Sequence, residues 1–423
     1  MMKNLADKIA AHGFADFKVI EVKSNENQLY LLKDRIESKR TIESQYYDIT
    51  VYADHKSNDE MLRGEYNFIY KPSTDLKFYL EQAKFACSLI KNRYYGLVRT
   101  ANFSKVELLD PRLENAEAIG IDLTDTIYQS VRDANVRLSS AEIYLKRSEV
   151  TLMTSTGIEL SKLKDLIEVE ITLIGKKGKK EQEMNFHLKR RRIEDLRLQD
   201  RIEEHMRHTV NMLNVKVPSS GKADVVFNAS DVYGLMSPII FHSSGKAKDQ
   251  GMSRFSPNDR IVGQSKNDFT LKTSGIIPFG LYSDPFDDDG IPGQEHTIID
   301  HGIFKKHWTT KRYADYLGVE PTGAFKNLII EPPPNSVFAN DNYYEIVQFS
   351  DLSPDPITGD LVAEIRFGYR VQKNKKTPVK GGSVGCNIFE ALQNAYFSSD
   401  NTFEGHYLGP KTVVLKDLSI SGQ

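Results

Sequence analysis

The sequence predicts an α+β protein of two domains, with mostly antiparallel sheets and packed helices, the second domain richer in strands and glycine turns. Three observations carry this. Runs of strand-like residues follow one another with few helices between them, which does not suit a doubly wound parallel sheet. A few stretches carry apolar residues at helical spacing. Lys216-Val217-Pro218-Ser219-Ser220-Gly221-Lys222 has the turn chemistry of a linker and divides the chain into residues 1–217 and 222–423.

The elements follow in order. MMKNLADKIAAHGFADFKVI reads as a short amphipathic helix and then a strand. FKVIEV, NQLYLLKDR, TIESQYYDITVYAD and EYNFIY are β-branched and aromatic in partial alternation, so residues 15–70 are strand-rich. Ser73 or Thr74 can cap a helix whose apolar positions are Leu76, Leu80, Ala83, Cys87 and Ile90. A second helix follows Asp110-Pro111, with Leu123, Ile127 and Val131 on one stripe. RLSSAEIYLKRSEVTLMTSTGIEL and KDLIEVEITLIG are strands. Arg191 to Leu213 is polar but periodic and predicts one long helix. Beyond the linker, ADVVFNA, NLIIEP, LVAEIRFGYRV and KTVVLKDLSIS are strands, and IEPPPNS is a loop. Helices are expected near Ser230–Phe241 and Ile388–Tyr396.

Composition excludes several classes. Lys plus Arg number 56 and Asp plus Glu 58, a formal charge of -2, so whole-molecule electrostatics give no reason to expect nucleic acid or an anionic membrane as partner. Cys87 and Cys386 belong to no zinc spacing and build no disulfide framework. No stretch approaches the roughly 18–20 apolar residues that span a bilayer. A cytoplasmic protein is expected.

Chemistry-bearing motifs are sparse. No His is followed by Glu, so the HExxH and HExxxH zinc motifs are absent. His205 and His208 share a helical face, but Arg201 and Arg207 beside them oppose a cation, and the pair reads as a solvated face. His296 and His301 read as surface histidines flanking a turn. SDPFDDDG imitates a calcium loop, yet with Gly290 at position six, Pro285 and His296 fall where carboxylates are required. An acidic turn that orders its own amides is the better reading. There is no GxSxG motif. Cys386 follows a Gly-rich turn without an adjacent base and reads as a small buried residue. Lys176–Lys180 reads as a hairpin tip, and Lys189-Arg190-Arg191-Arg192 as the solvated start of the long helix.

One string goes further. PFDDDGIPGQEHTIIDHGIFKKHWTTKRYADYLGVEPTGAFKN resembles the central motif of the TldD/PmbA family, long described as modulators of DNA gyrase. Its elements are the acidic turn Pro285 to Gly290, a strand ending at Gly302, a helix over Ala314 to Gly318, and Thr322-Gly323. Upstream, Ser155 and Gly157 are similar to the family's strand turn. Downstream, Gly382 to Asn387 is similar to its "G-x-x-x-GN" turn. The resemblance runs from about residue 40 to the end.

The family has TldD-type subunits, with HExxxH and a C-terminal Cys ligand, and TldE-type subunits lacking both. Here the helix corresponding to the zinc helix has only His242 at its end, and His406 stands near the expected Cys segment. The resemblance therefore implies a non-catalytic TldE-type subunit of a zinc metalloprotease. It also implies a heterodimer with a TldD-like catalytic subunit that carries the zinc, or a homodimer when alone. No cofactor is expected in this chain, and the substrate would be a peptide or unfolded protein. Candidates for the peptide chamber, taken from polar residues of Gly-rich turns, are His242, Ser243, Ser244, Arg254, Asp287, Asp289, Asn387 and His406. Two alternatives stand: a stand-alone metal-dependent peptidase using His242, Cys386 and His406, or a modulator of a nucleic-acid machine binding through the basic runs.

Overall fold

The protein was analysed as a computed structural model, which describes residues 2–57, 59–263, 268–333, 336 and 338–423. Seven antiparallel strands make the N-terminal sheet: β1 (Asp16–Leu32), β2 (Arg35–Ser57), β3 (Glu60–Tyr70), β4 (Asn92–Arg93), β5 (Val136–Thr154), β6 (Glu159–Lys177) and β7 (Lys180–Arg190). Their order is β4-β3-β2-β1-β5-β6-β7. The segments FKVIEV and NQLYLLKDR, read as separate strands, are one strand, β1.

Alternation gives this sheet two unlike faces. Val19, Leu29, Ile49, Ile143, Leu145, Ile167 and Val169 point to one side and are buried under helices. Those helices are α1 (Met2–Ala11), α2 (Leu76–Leu89), α3 (Ala116–Ser130) and α4 (Leu198–Met212). The predicted stripes hold in their middle, where Leu80, Ala83 and Cys87 of α2, and Leu123 and Ile127 of α3, are buried; Ile90 and Val131 fall just past the helix ends, and Ile90 is exposed. Each leucine and isoleucine among them stabilises by about 1.5–3 kcal/mol when fully buried. Asp75, rather than Ser73 or Thr74, caps α2, its carboxylate accepting the Lys77 N–H at 2.9 Å. The single helix expected from Arg191 is divided. A short turn at Ile193–Leu196 ends at Arg197, whose φ of 43° is left-handed, and α4 starts afresh after it.

The C-terminal part begins with β8 (Gly221–Asn228), α5 (Ala229–Leu235), α6 (Ser237–His242) and α7 (Gly245–Asp249). The helix expected over Ser230–Phe241 is thus α5 and α6, broken at Met236 ahead of Pro238. Next come β9 (Thr270–Ser274), β10 (Glu295–Asp300), β11 (Ile303–Phe304), α8 (Lys311–Leu317) and β12 (Asn327–Glu331). β13 (Asn342–Phe349), β14 (Asp360–Gln372), β15 (Lys375–Val379), β16 (Ser383–Asn387) and α9 (Ile388–Ala391) follow. Last are β17 (Tyr396–Phe397), β18 (Asn401–Phe403), β19 (Tyr407–Pro410) and β20 (Thr412–Ser421). Residues 334 and 335 of the IEPPPNS loop lie outside the described residues.

These strands form two sheets. One runs β11-β10-β9-β12-β19-β18. In the other, β13 pairs with both β8 and β14, so the path β8-β20-β16-β14-β13 closes into a small barrel. Closure removes the exposed edges that such short strands would otherwise present. Side chains from both sheets and from α5, α6 and α9 share one core, including Phe227, Ile239, Leu271, Ile330, Ile365 and Leu415. The architecture is α+β and mostly antiparallel, as the sequence predicts. Among the described residues no helix is long and apolar enough to cross a membrane.

Candidate functional site

The helix-free face of the N-terminal sheet looks onto the C-terminal part across a cleft of about 1500 Å³. Its floor is built by alternation alone: Lys18, Ile20 and Val22 of β1, Lys146, Ser148 and Val150 of β5, and Lys162, Lys164, Leu166 and Glu168 of β6. The facing wall comes from the start of α5 (Ser230, Asp231), the loop around Asp284 to Asp289, the β13 end at Val347–Leu352, and Glu404 and His406 before β19.

Two fastenings hold floor and wall together. In the first, the acidic turn inserts Phe286 among Ile20, Val150, Leu152, Ile158 and Leu160 of the sheet. Lys162 Nζ donates to the Phe286 carbonyl at 2.9 Å and pairs with Asp284 at 2.9 Å; Lys326 reaches the other oxygen of Asp284 at 3.0 Å. Lys18 pairs with Asp289 at 2.8 Å. Asp287 behaves as the sequence predicts, its carboxylate accepting the Asp289 and Ile291 N–H groups at 2.9 Å each. Gly290, with φ of 85°, closes this turn. Burial and the nearby charge of Asp289 push the Asp287 carboxyl up to about 6.

The second fastening corrects the sequence reading of Lys189–Arg192. Arg190 and Arg191 are buried. Arg191 donates to the carbonyls of Gly280 at 2.9 Å, Leu281 at 2.7 Å and Asp165 at 2.8 Å. Glu404 accepts from Arg190 and from Arg201. The run ends a strand against the C-terminal part and does not open a helix in solvent. The other run, Lys176–Lys180, is a hairpin tip as expected.

Three of the eight chamber candidates, Asp287, Asp289 and His406, border the cleft. The His406 ring lies against Tyr233 and Tyr282, with centroids 4.8 and 5.5 Å away, and burial holds its pKa down. The other five lie outside the cleft lining and have structural duties. His242 Nε2 lies 2.8 Å from the Ile357 carbonyl, and its Nδ1 accepts the Arg254 N–H at 3.2 Å. Ser243 Oγ donates to the Ile240 carbonyl at 3.0 Å. Ser244 caps α7 through the Ala247 N–H at 3.0 Å. The Arg254 guanidinium sits over the Phe389 ring at 4.6 Å. Asn387 caps α9 through the Phe389 N–H at 3.1 Å. The cleft residues missed in the sequence are Lys164, Arg191, Asp231 and Glu404. Lys164 was accessible from the alternation in KLKDLIEVE once the helices are assigned to the odd-numbered face.

His242, Cys386 and His406 are not gathered into a metal site among the described residues. Both ring nitrogens of His242 are engaged, one by the Ile357 carbonyl and one by the Arg254 N–H. Among the described residues no three His, Cys, Asp or Glu side chains are grouped so as to hold a metal ion. His205 and His208 are not solvated either. His205 stacks on Phe186 at 3.9 Å, and His208 Nδ1 meets the Tyr369 hydroxyl at 2.8 Å, its pKa lowered by burial to about 4.

Comparison with known proteins locates this architecture. Residues 220–422 match the model of the PmbA/TldA metallopeptidase C-terminal domain. An uncharacterized protein of Methanocaldococcus jannaschii is 25% identical over 210 residues, 46% of this chain and 50% of that one. A Metalloprotease TldD homolog of Buchnera aphidicola is 26% identical over 379 residues, 80% of this chain and 78% of that one. The chain thus spans half the length of the first relative. The crystal structure of TldE from Thermococcus kodakarensis superposes with a TM-score of 0.81 at 17% identity, covering 100% of both chains, which establishes a shared fold. The C-terminal part, residues 220–422, thus matches the PmbA/TldA metallopeptidase C-terminal domain, and the whole length shares the fold of TldE.

Proposed function

We propose that this chain is the non-catalytic, TldE-type subunit of a TldD/TldE-type zinc metalloprotease, acting in the cytoplasm and forming part of the wall of its peptide-processing chamber. The observation that carries the reading is the cleft: a large, mixed-polarity space whose fastenings use up most of its charges, with no zinc-binding group of side chains among the described residues. Such a surface guides a peptide and leaves its hydrolysis to a partner. The edge strand β7, which meets the C-terminal barrel at Gln182 and Asn185, supports this. β7 is the terminal strand of its sheet, and its outward Asn185 carbonyl already accepts a bond, from Gln348 Nε2 at 3.1 Å. An edge of this kind holds extended chains through main-chain hydrogen bonds, with little regard to sequence.

Assembly with a TldD-like partner, or with a second copy when that partner is missing, has its own support. Phe78, Phe85 and Leu89 form an exposed apolar stripe on α2, opposite the buried stripe of Leu80, Ala83 and Cys87. Exposed patches of this kind mark contact surfaces. The test is co-expression with the TldD-like protein of the same genome, followed by peptide cleavage assays. Co-purification, and cleavage by the pair but not by this chain, is expected. Cleavage by this chain alone at the rate of the pair contradicts the reading.

A further inference from the structure

Among the described residues, one lysine on the floor of the cleft has no acidic partner. Lys18 pairs with Asp289, Lys162 with Asp284, Lys146 with Glu26 at 3.3 Å, and Lys189 with Glu168 at 3.0 Å. Lys164 lines the same cleft, and among the described residues its ammonium has neither a hydrogen bond nor an ion pair. Its nearest acid, Asp284, is already held by both Lys162 and Lys326. Directly across the ladder from Lys164 stands Ser148 of β5, whose side chain also faces the cleft. Ser148 is only 6% exposed, and its hydroxyl has no hydrogen-bond partner among the described residues.

Within a mostly buried surface, a hydroxyl and an ammonium side by side, neither with a protein acceptor among the described residues, are free to donate to a ligand in the cleft. Burial lowers the Lys164 pKa, and the positive charges of Lys162 and Arg191 push the same way against Asp284 and Asp288. A bound anion would reverse that balance. A carboxylate can accept from both neighbours, from the ammonium in a charge-assisted bond.

We propose that Lys164 and Ser148 form an anchoring site for a carboxylate of an extended peptide lying in the cleft. That carboxylate is either the chain's C-terminal group or an Asp or Glu side chain. The proposal rests on the peptide-chamber reading above and adds a fixed point to it. The anchor would set how far a peptide enters the cleft, and so the position of its scissile bond relative to the partner's metal.

The test uses the full-length chain and isothermal titration calorimetry with three unstructured decapeptides of otherwise identical sequence. One has a free C-terminus, one a C-terminal amide, and one an amide plus a single internal Glu. The expected result is a gain of about tenfold in affinity over the plain amide for at least one carboxylate peptide, as for one charge-assisted hydrogen bond. Which of the two gains identifies the source. Lys164→Gln should abolish the gain without moving the amide peptide's affinity, Lys164→Arg should keep most of it, and Ser148→Ala should lose about threefold. Unchanged thermal unfolding of Lys164→Gln shows that the fold is intact. If all three peptides bind equally, the anchor is refuted while the peptide-chamber reading stands. If none binds, both fall.

Discussion

Two lysine- and arginine-rich runs lie about a strand's length apart, and they meet opposite fates. Lys176–Lys180 turns the hairpin between β6 and β7 in solvent, with Gly178 at a φ of 62°. Lys189–Arg192 sits at the other end of β7, where Arg190 and Arg191 are buried against the C-terminal part. Each carries four cations, lysines in the first and mostly arginines in the second. Position along the strand decides whether a cation is solvated or completes the hydrogen bonding of a neighbouring backbone. The comparison also weakens the nucleic-acid alternative, since Arg190 and Arg191 are withdrawn from any polyanion.

Substitutions can break this contrast. The largest effect is expected from Arg191→Ala. It strands the carbonyls of Gly280, Leu281 and Asp165 in a buried joint, and should lower stability by about 3 kcal/mol, read as the midpoint of chemical unfolding. Arg191→Lys should rescue little, because a point charge cannot address three carbonyls at once. Next is Glu404→Gln, which removes the charge facing Arg190 and Arg201 and should cost about 2 kcal/mol, less at high salt because Arg201 is partly exposed.

Asp287→Asn sharpens the contrast through pH. The Asp287 carboxyl is raised from 3.8 to about 6 in the fold, so its contribution is complete below about pH 4 and is lost as pH rises through about 6. Asn keeps an acceptor for the Asp289 and Ile291 N–H groups but carries no charge. Thermal unfolding should therefore find the variant equal to the parent at pH 4 and more stable, by about 3 kcal/mol, at pH 8. The smallest effect belongs to the hairpin tip. Changing Lys176, Lys177, Lys179 and Lys180 to Gln together should shift stability by less than about 0.5 kcal/mol. A shift near that of Arg191→Ala would erase the distinction between the runs.

Local pattern carried much of the fold. The long N-terminal strands and the α2 and α3 stripes are periodic over many residues, and the acidic turn is specified by its own Asp287 and Gly290. Two kinds of feature stayed hidden. The break at Arg197 depends on a left-handed residue that no Gly or Asn announces. The cleft joins residues distant in sequence, such as Lys162 with Asp284 and Arg190 with Glu404, whose pairing exists only after the two parts meet. Choosing polar residues from glycine turns brought in His242, Ser244 and Asn387, whose polarity is spent on capping and on backbone partners. Strand alternation, applied to β6, was the better guide to the cleft.

The central claim is that this chain shapes the chamber and its partner holds the metal. Elemental analysis of the purified chain alone, after zinc has been offered and the excess removed, tests it most directly. The account predicts near-zero zinc per chain. About one tightly held zinc per chain would contradict it and turn attention to His242, Cys386 and His406 as ligands.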